Sequence, residues 1–184
     1  LIEQKFCLIR ENERQGALVR LIDAEQSEKS IIFCRTKKET DILCTALIGK
    51  KYKVKMLHGD LSQVERNRVI SGFKDGQINL LVATDVASRG LDISDLSCVI
   101  NYQLPDDYNR YTHRIGRTGR AGNKGVAITL VTKSEILRHE LFRKINHKDL
   151  IFLNVPSKSL IQEQIEKRFI EKIKTIDIST STRK

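Results

Sequence analysis

No stretch of about 18 or more apolar residues occurs in the 184-residue sequence, which argues against a membrane span. The opening LIEQKFCLIRENERQG lacks the apolar stretch of a signal peptide. Cysteine is sparse: Cys7, Cys34, Cys44 and Cys98 are the only four, they lie far apart, and they form no C-x-x-C pair. That spacing speaks against metal or redox chemistry and for buried free thiols in a reducing compartment. No G-x-x-x-x-G-K-[ST] segment is present, so the loop type that cradles β- and γ-phosphates is missing.

What is abundant is positive charge. The formal net charge is +10, which points to polyanionic partners without separating nucleic acid from a membrane surface. With 40% hydrophobic residues, the length suits one domain with an extension.

Apolar runs and helical periodicity alternate along the chain. Strands are expected at residues 5–10, 30–34, 53–57, 78–83, 98–101 and 125–131. SIIFC at 30–34 is continuously apolar, as in a strand covered on both faces. Helices are expected at 16–25, 36–48, 62–74, 105–115 and 134–145, the third opened by a capping box of Ser62 and Glu65. Alternating β and α units with short connections predict an α/β fold, a mostly parallel sheet with helices on both faces. In such sheets, ligand residues collect beyond the carboxyl ends of strands. Three polar segments fall there: FCRTKK, LHGD at 57–60 and ATDVASRGLD at 83–92.

Beyond Asn146, NHKDLIFLNVPS reads as a linker with an apolar centre. An amphipathic helix follows at 159–174, with Ser159 and Gln162 as a second capping box. Its stripe of Ile161, Ile165, Phe169 and Ile173 faces opposite Glu163, Glu166, Lys167, Arg168, Glu171 and Lys172. The stripe is expected to pack on its own domain or, alternatively, to form a homodimer. STSTRK is expected to fray. The expected division is therefore 1–150 for the domain and 151–184 for linker and helical extension.

The most distinctive stretch is YTHRIGRTGRAG at 111–122. Arg114, Arg117 and Arg120 recur every three residues, and a guanidinium matches phosphate bidentately. Gly116, Gly119 and Gly122 allow close backbone approach and positive φ. The stretch suits a phosphate-facing edge; a solvated basic turn is the plainer alternative. In 83–93, Asp85 suits a cap on a short helical turn, while Arg89-Gly90-x-Asp92 suits a tight turn offering one cation and one acceptor.

HRIGRTGR resembles motif VI of the DEAD-box RNA helicases, including the His-Arg start. ATDVASRGLDI resembles their motif V, IIFCRTKKE motif IV, and LHGD with Gln63-x-x-Arg66 the conserved block between them. The four stand in the family's order over about residues 16–130. D-E-A-D and S-A-T segments are absent, so the resemblance is to the second, C-terminal RecA-like domain, a three-layer sandwich.

By that resemblance Arg117 and Arg120 would be arginine fingers. His113, Gly90 and Asp92 would face ATP, with Asp92 on the ribose. Arg35, Gly59, Arg66 and Thr84 would touch the RNA backbone, with a plain surface arginine the alternative for Arg35 and bracing of the loop the alternative for Arg66, and Arg114 would brace motif V from within. ATP and Mg²⁺ would be held mainly by an N-terminal RecA-like domain, so this chain alone would not hydrolyse ATP. The resemblance implies a cytoplasmic RNA partner bound without sequence preference, with a homodimer through 159–174 as a further expectation. Two other readings compete: a docking module for RNA or protein without an ATP role, and a related DNA helicase. The paired Arg117 and Arg120 speak against the first, and the His-Arg start against the second.

Overall fold

The computed structural model describes residues 2–88, 93, 96–120, 122–138 and 150–181. Among these residues, seven strands form one sheet in the order β3-β4-β2-β5-β6-β1-β7. The strands are β1 (Ile2–Leu8), β2 (Ser30–Phe33), β3 (Val54–Leu57), β4 (Leu80–Ala83), β5 (Cys98–Asn101), β6 (Gly125–Val131) and β7 (Leu150–Leu153). Every pairing is parallel. The helices are α1 (Arg14–Glu25), α2 (Lys37–Gly49), α3 (Gln63–Lys74), α4 (Asp85–Ser88), α5 (Tyr108–Ile115), α6 (Lys133–Arg138) and α7 (Lys158–Ser181). A 3₁₀ turn at Glu11–Glu13 precedes α1.

Strand side chains alternate between two cores, as a period of two requires. Ile32, Val82, Ile100 and Ile128 pack with Leu18 and Leu21 of α1 and Leu43 and Leu47 of α2. Ile31, Phe33, Leu81 and Val99 pack on the other face with Phe73 of α3 and Ala87 of α4. Tyr111 and Ile115 of α5 continue that second layer over Ala127 and Val131. Buried apolar side chains on both faces explain the continuous runs SIIF and LLVA. At about 1.5–3 kcal/mol for each large side chain buried, these two layers are the main stabilising term. The result is the expected RecA-like three-layer sandwich, with a sheet that is wholly parallel.

The expected capping box opens α3, and a further one, beyond those expected from the sequence, opens α2. Thr36 exchanges hydrogen bonds with Glu39 at the start of α2, and Ser62 with Glu65 at the start of α3. Helix α5 begins at Tyr108, later than the sequence suggests, because Asp107 accepts from the Arg110 amide.

Two details differ at the C-terminal end. The stretch expected as a linker contains β7, which adds to β1 in parallel with Gln4 opposite Leu150 and Cys7 opposite Leu153. Helix α7 is capped by Ser157, whose Oγ accepts from the Leu160 amide, in place of the expected Ser159 and Gln162 pair. Ile161 is buried; Arg168 donates to the Ala24 carbonyl at 3.3 Å, and Arg20 to Pro156 at 3.3 Å, so α7 lies along α1. The expected Glu163 to Lys167 pair forms at 2.8 Å. Helix 134–145 is seen as α6, and its continuation beyond Arg138 lies outside the described residues.

Candidate functional site

The site is built on Arg114. Helix α5 turns Tyr111, Arg114 and Ile115 inward, and Tyr111 donates to Gln4 Oε1 at 2.7 Å. Arg114 is only 3% exposed, and a buried guanidinium is costly unless paired and hydrogen-bonded. Asp85 at the start of α4 meets it with both oxygens, at 2.7 Å to Nε and 2.7 Å to Nη2. Nη1 donates to Asn101 Oδ1 at 3.0 Å, and Asn101 Nδ2 donates to Thr129 Oγ1 at 3.0 Å. The guanidinium also lies 5.0 Å from the centre of the Phe33 ring. Arg114 thus links the 83–93 segment to α5, the internal brace expected of it. Asp85 also opens α4, but its carboxylate is committed to Arg114.

That brace places His113 and Arg117 on one cleft of about 270 Å³, lined also by Phe33, Asp85, Arg110 and Arg114. Arg120 turns elsewhere. Its Nε donates to the Gly116 carbonyl at 2.7 Å, and it lines a second cleft with Lys29 and Lys124. Gly119 and Gly122 take φ of +67° and +82°, the left-handed region expected of them. Gly125 serves a close approach: a Cβ there would sit 2.3 Å from Thr118 Oγ1. The segment carrying Arg117 and Arg120 is therefore pressed against the start of β6.

The other described candidate residues lie along the carboxyl edge of the sheet. Thr84 is buried at the end of β4. Arg35 donates to the Leu104 carbonyl at 3.0 Å and approaches Glu135 at 3.4 Å, which ties β2 to the loop before α5. In LHGD, His58 Nε2 lies 3.2 Å from Asp41 and Nδ1 accepts from the Asp60 amide, while Asp60 pairs with Lys37. The Lys37 hydrogen bond holds the Asp60 carboxyl below its usual range. These bonds anchor the turn to α2 and leave Gly59 at its tip. Arg66 is half-buried in the first turns of α3. Gly90 and Asp92 lie outside the described residues.

Nothing in the linear pattern singles out Asn101, Thr129 or Phe33 as part of this assembly. The available signal was a lone polar residue in each of two buried strands, CVIN and GVAITLV. Among the described residues no group of His, Cys, Asp or Glu side chains is placed to hold a metal ion.

Residues 13–122 match the family model described as helicase conserved C-terminal domain. The DEAD-box ATP-dependent RNA helicase RhpA of Helicobacter pylori is 56% identical over 134 residues, which are 73% of this chain and 27% of the relative. The chain thus spans about a quarter of the length of the curated relatives it matches. Among solved structures, the Escherichia coli DEAD-box protein SrmB bound to regulator of ribonuclease activity A superposes with a TM-score of 0.76 at 35% identity, covering 87% of this chain and 94% of that one. Saccharomyces cerevisiae Dbp5 bound to RNA and ADP BeF3 gives 0.73 at 34% identity, covering 90% of this chain and 45% of that one. The chain belongs to the helicase conserved C-terminal domain family, as the C-terminal RecA-like domain of a DEAD-box helicase.

Proposed function

We propose that this chain is the second half of an ATP-dependent RNA helicase and supplies Arg117 and Arg120 to the phosphates of ATP held by an N-terminal RecA-like domain. The observation that carries the proposal is the Arg114 to Asp85 brace, which sets His113 and Arg117 on one cleft. The lining suits a polyphosphate: Arg110, His113 and Arg117 contribute basic groups, while the Asp85 carboxylate is taken up by Arg114. Arg120 would join them on domain closure by giving up its bond to the Gly116 carbonyl. Arginine forks aimed at a transferring phosphoryl group stabilise its developing charge. Magnesium, bound with the nucleotide mainly by the first domain, would neutralise phosphate charge there. His113 would link the fingers to that domain, and Gly90 and Asp92 would face the nucleotide.

RNA would lie along the carboxyl edge, on Thr84, Gly59, Arg66 and Arg35, held through phosphates and sugars without base readout. Closure of the two domains on ATP and RNA would separate a short duplex or remodel an RNA–protein particle. Dbp5, whose RNA-bound structure this chain resembles, supports that choice of ligand. The buried, unpaired cysteines support a cytoplasmic setting. Helix α7 packs its first turns on α1, and its exposed Phe169, Ile170 and Ile173 are proposed to meet a second copy.

The test is ATP hydrolysis with and without RNA. The full-length protein should turn over ATP at about 1 s⁻¹ or faster when RNA is added, and this chain alone should show essentially none. Turnover by this chain alone would overturn the assignment.

A further inference from the structure

Two polar side chains are buried in the middle of the sheet. Asn101 of β5 and Thr129 of β6 are both 0% exposed, and they stand opposite each other in the strand register. Their strands are otherwise apolar, CVIN and GVAITLV. Burying an amide and a hydroxyl is costly unless each finds a partner, and an apolar pair would fill the same space without that cost.

The chemistry of Arg114 fixes how the pair is turned. A guanidinium only donates, so Asn101 must present Oδ1 to it, and Nη1 meets that oxygen at 3.0 Å. The Asn101 amide nitrogen then faces the other way and needs an acceptor, which is Thr129 Oγ1 at 3.0 Å. The Thr129 proton is left for the Tyr111 oxygen, and Tyr111 in turn donates to Gln4 Oε1 at 2.7 Å. The donors therefore run one way, from Arg114 through β5 and β6 to β1, and each link fixes the orientation of the one before it.

Arg114 is thus held from two sides. Nε and Nη2 bind Asp85, which opens the four-residue α4 outside the sheet. Nη1 binds Asn101, on a strand paired on both edges, by β2 and by β6. Such a strand is the more fixed of the two references. The position of Arg114 carries to the cleft through the backbone, because the Arg117 amide donates to the Arg114 carbonyl at 3.1 Å and His113 adjoins Arg114 in α5. Neither Asn101 nor Thr129 lines that cleft, so they act on a ligand only through Arg114.

We infer that Asn101 and Thr129 are positioning residues that fix the arginine-bearing end of α5 to the sheet, so that Arg117 meets the phosphates correctly placed. The inference rests on the reading of Arg117 as an arginine finger. The test is RNA-stimulated ATP hydrolysis by the full-length protein, with kcat and the KM values for ATP and RNA measured separately. Thr129→Val keeps the shape and removes the acceptor. It should lower kcat by about three- to tenfold, the size expected for one hydrogen bond, with both KM values within about twofold of wild type. Thr129→Ser keeps the hydroxyl and should recover the loss. Asn101→Ala should lower kcat at least as far, and the double variant no further than Asn101→Ala, because both act through one chain. Leu130→Val trims the core on the opposite face of the same strand and should leave kcat near wild type. Unchanged kcat in Thr129→Val while Arg117→Ala is inactive would overturn the inference and leave the finger reading intact. Failure of the serine to rescue, additive losses, or an equal loss in Leu130→Val would overturn it as well, since each marks a general loss of stability. Full activity in Arg117→Ala would strike the finger reading itself, and the inference with it.

Discussion

Removing the Asp85 carboxylate should be among the most damaging single changes in the chain. Asp85→Ala leaves the Arg114 guanidinium buried with Asn101 as its only remaining side-chain acceptor among the described residues. Two short charge-assisted bonds are lost, and breaking a buried pair from one side costs about 3–5 kcal/mol. Asp85 is about a quarter exposed, so water can reach part of the gap. About 3 kcal/mol is therefore the better figure, or roughly 6–12 °C in Tm for a chain of this size. Arg114→Met leaves Asp85 able to hydrate and should cost less. The double variant should be more stable than the sum of the single losses predicts, because neither charge is then stranded. Urea denaturation of this chain, followed by far-ultraviolet circular dichroism, measures all three. Stability of Asp85→Ala within about 1 kcal/mol of wild type, or strict additivity in the double variant, would refute the reasoning.

Ile161→Ala should destabilise by about 2 kcal/mol or more, while Phe169→Ser on the exposed side of α7 should stay within about 0.5 kcal/mol in the monomer. Sedimentation of the two variants separates cis packing from self-association: if a second copy covers Phe169, only Phe169→Ser should abolish a concentration-dependent dimer. Burial pushes the Cys34 and Cys98 thiols up to about 12 and Cys7 up to about 11, from an ordinary 9.0. Between those values the unfolded chain sheds protons that the folded chain keeps, so stability should fall as pH rises above 9.0. Urea midpoints at pH 8 and pH 10 should differ in that direction by more than in a variant with these cysteines replaced by alanine. RNA binding by this chain should weaken with salt, with a slope of about −0.7 per phosphate contact on single strands, and a flat response would contradict a phosphate-led interface.

The parallel sheet was legible because its strands are buried on both faces and therefore read as unbroken apolar runs. Strand β7 was not legible, because it sits at an edge. Ile151 and Phe152 are exposed, and its place is set by backbone pairing with β1, which side-chain patterning does not record. The α7 cap misread has a simple cause. Ser157 and Ser159 offer the same hydroxyl two residues apart, and the earlier one caps.

Arg14 stands in the charged run ENER and reads as surface. It is buried because Glu135, 121 residues later, meets it at 2.9 Å. Arg35 was divided between a phosphate contact and a plain surface residue; its contacts to Leu104 and Glu135 connect residues that no local pattern joins. Long-range polar pairs of this kind have no local sequence signature. The arginine spacing at 114–120 marked candidate groups, but not that the 114 side chain turns inward and braces motif V.

The most direct test of the account is the rate of RNA-stimulated ATP hydrolysis by the full-length protein carrying Arg120→Ala, with Arg117→Ala beside it. Loss of a finger should lower the rate by about 10³–10⁵, equivalent to roughly 4–7 kcal/mol of transition-state stabilisation, while nucleotide affinity falls far less. Retention of more than about a tenth of the wild-type rate by both variants would contradict the claim that these arginines act on the phosphates.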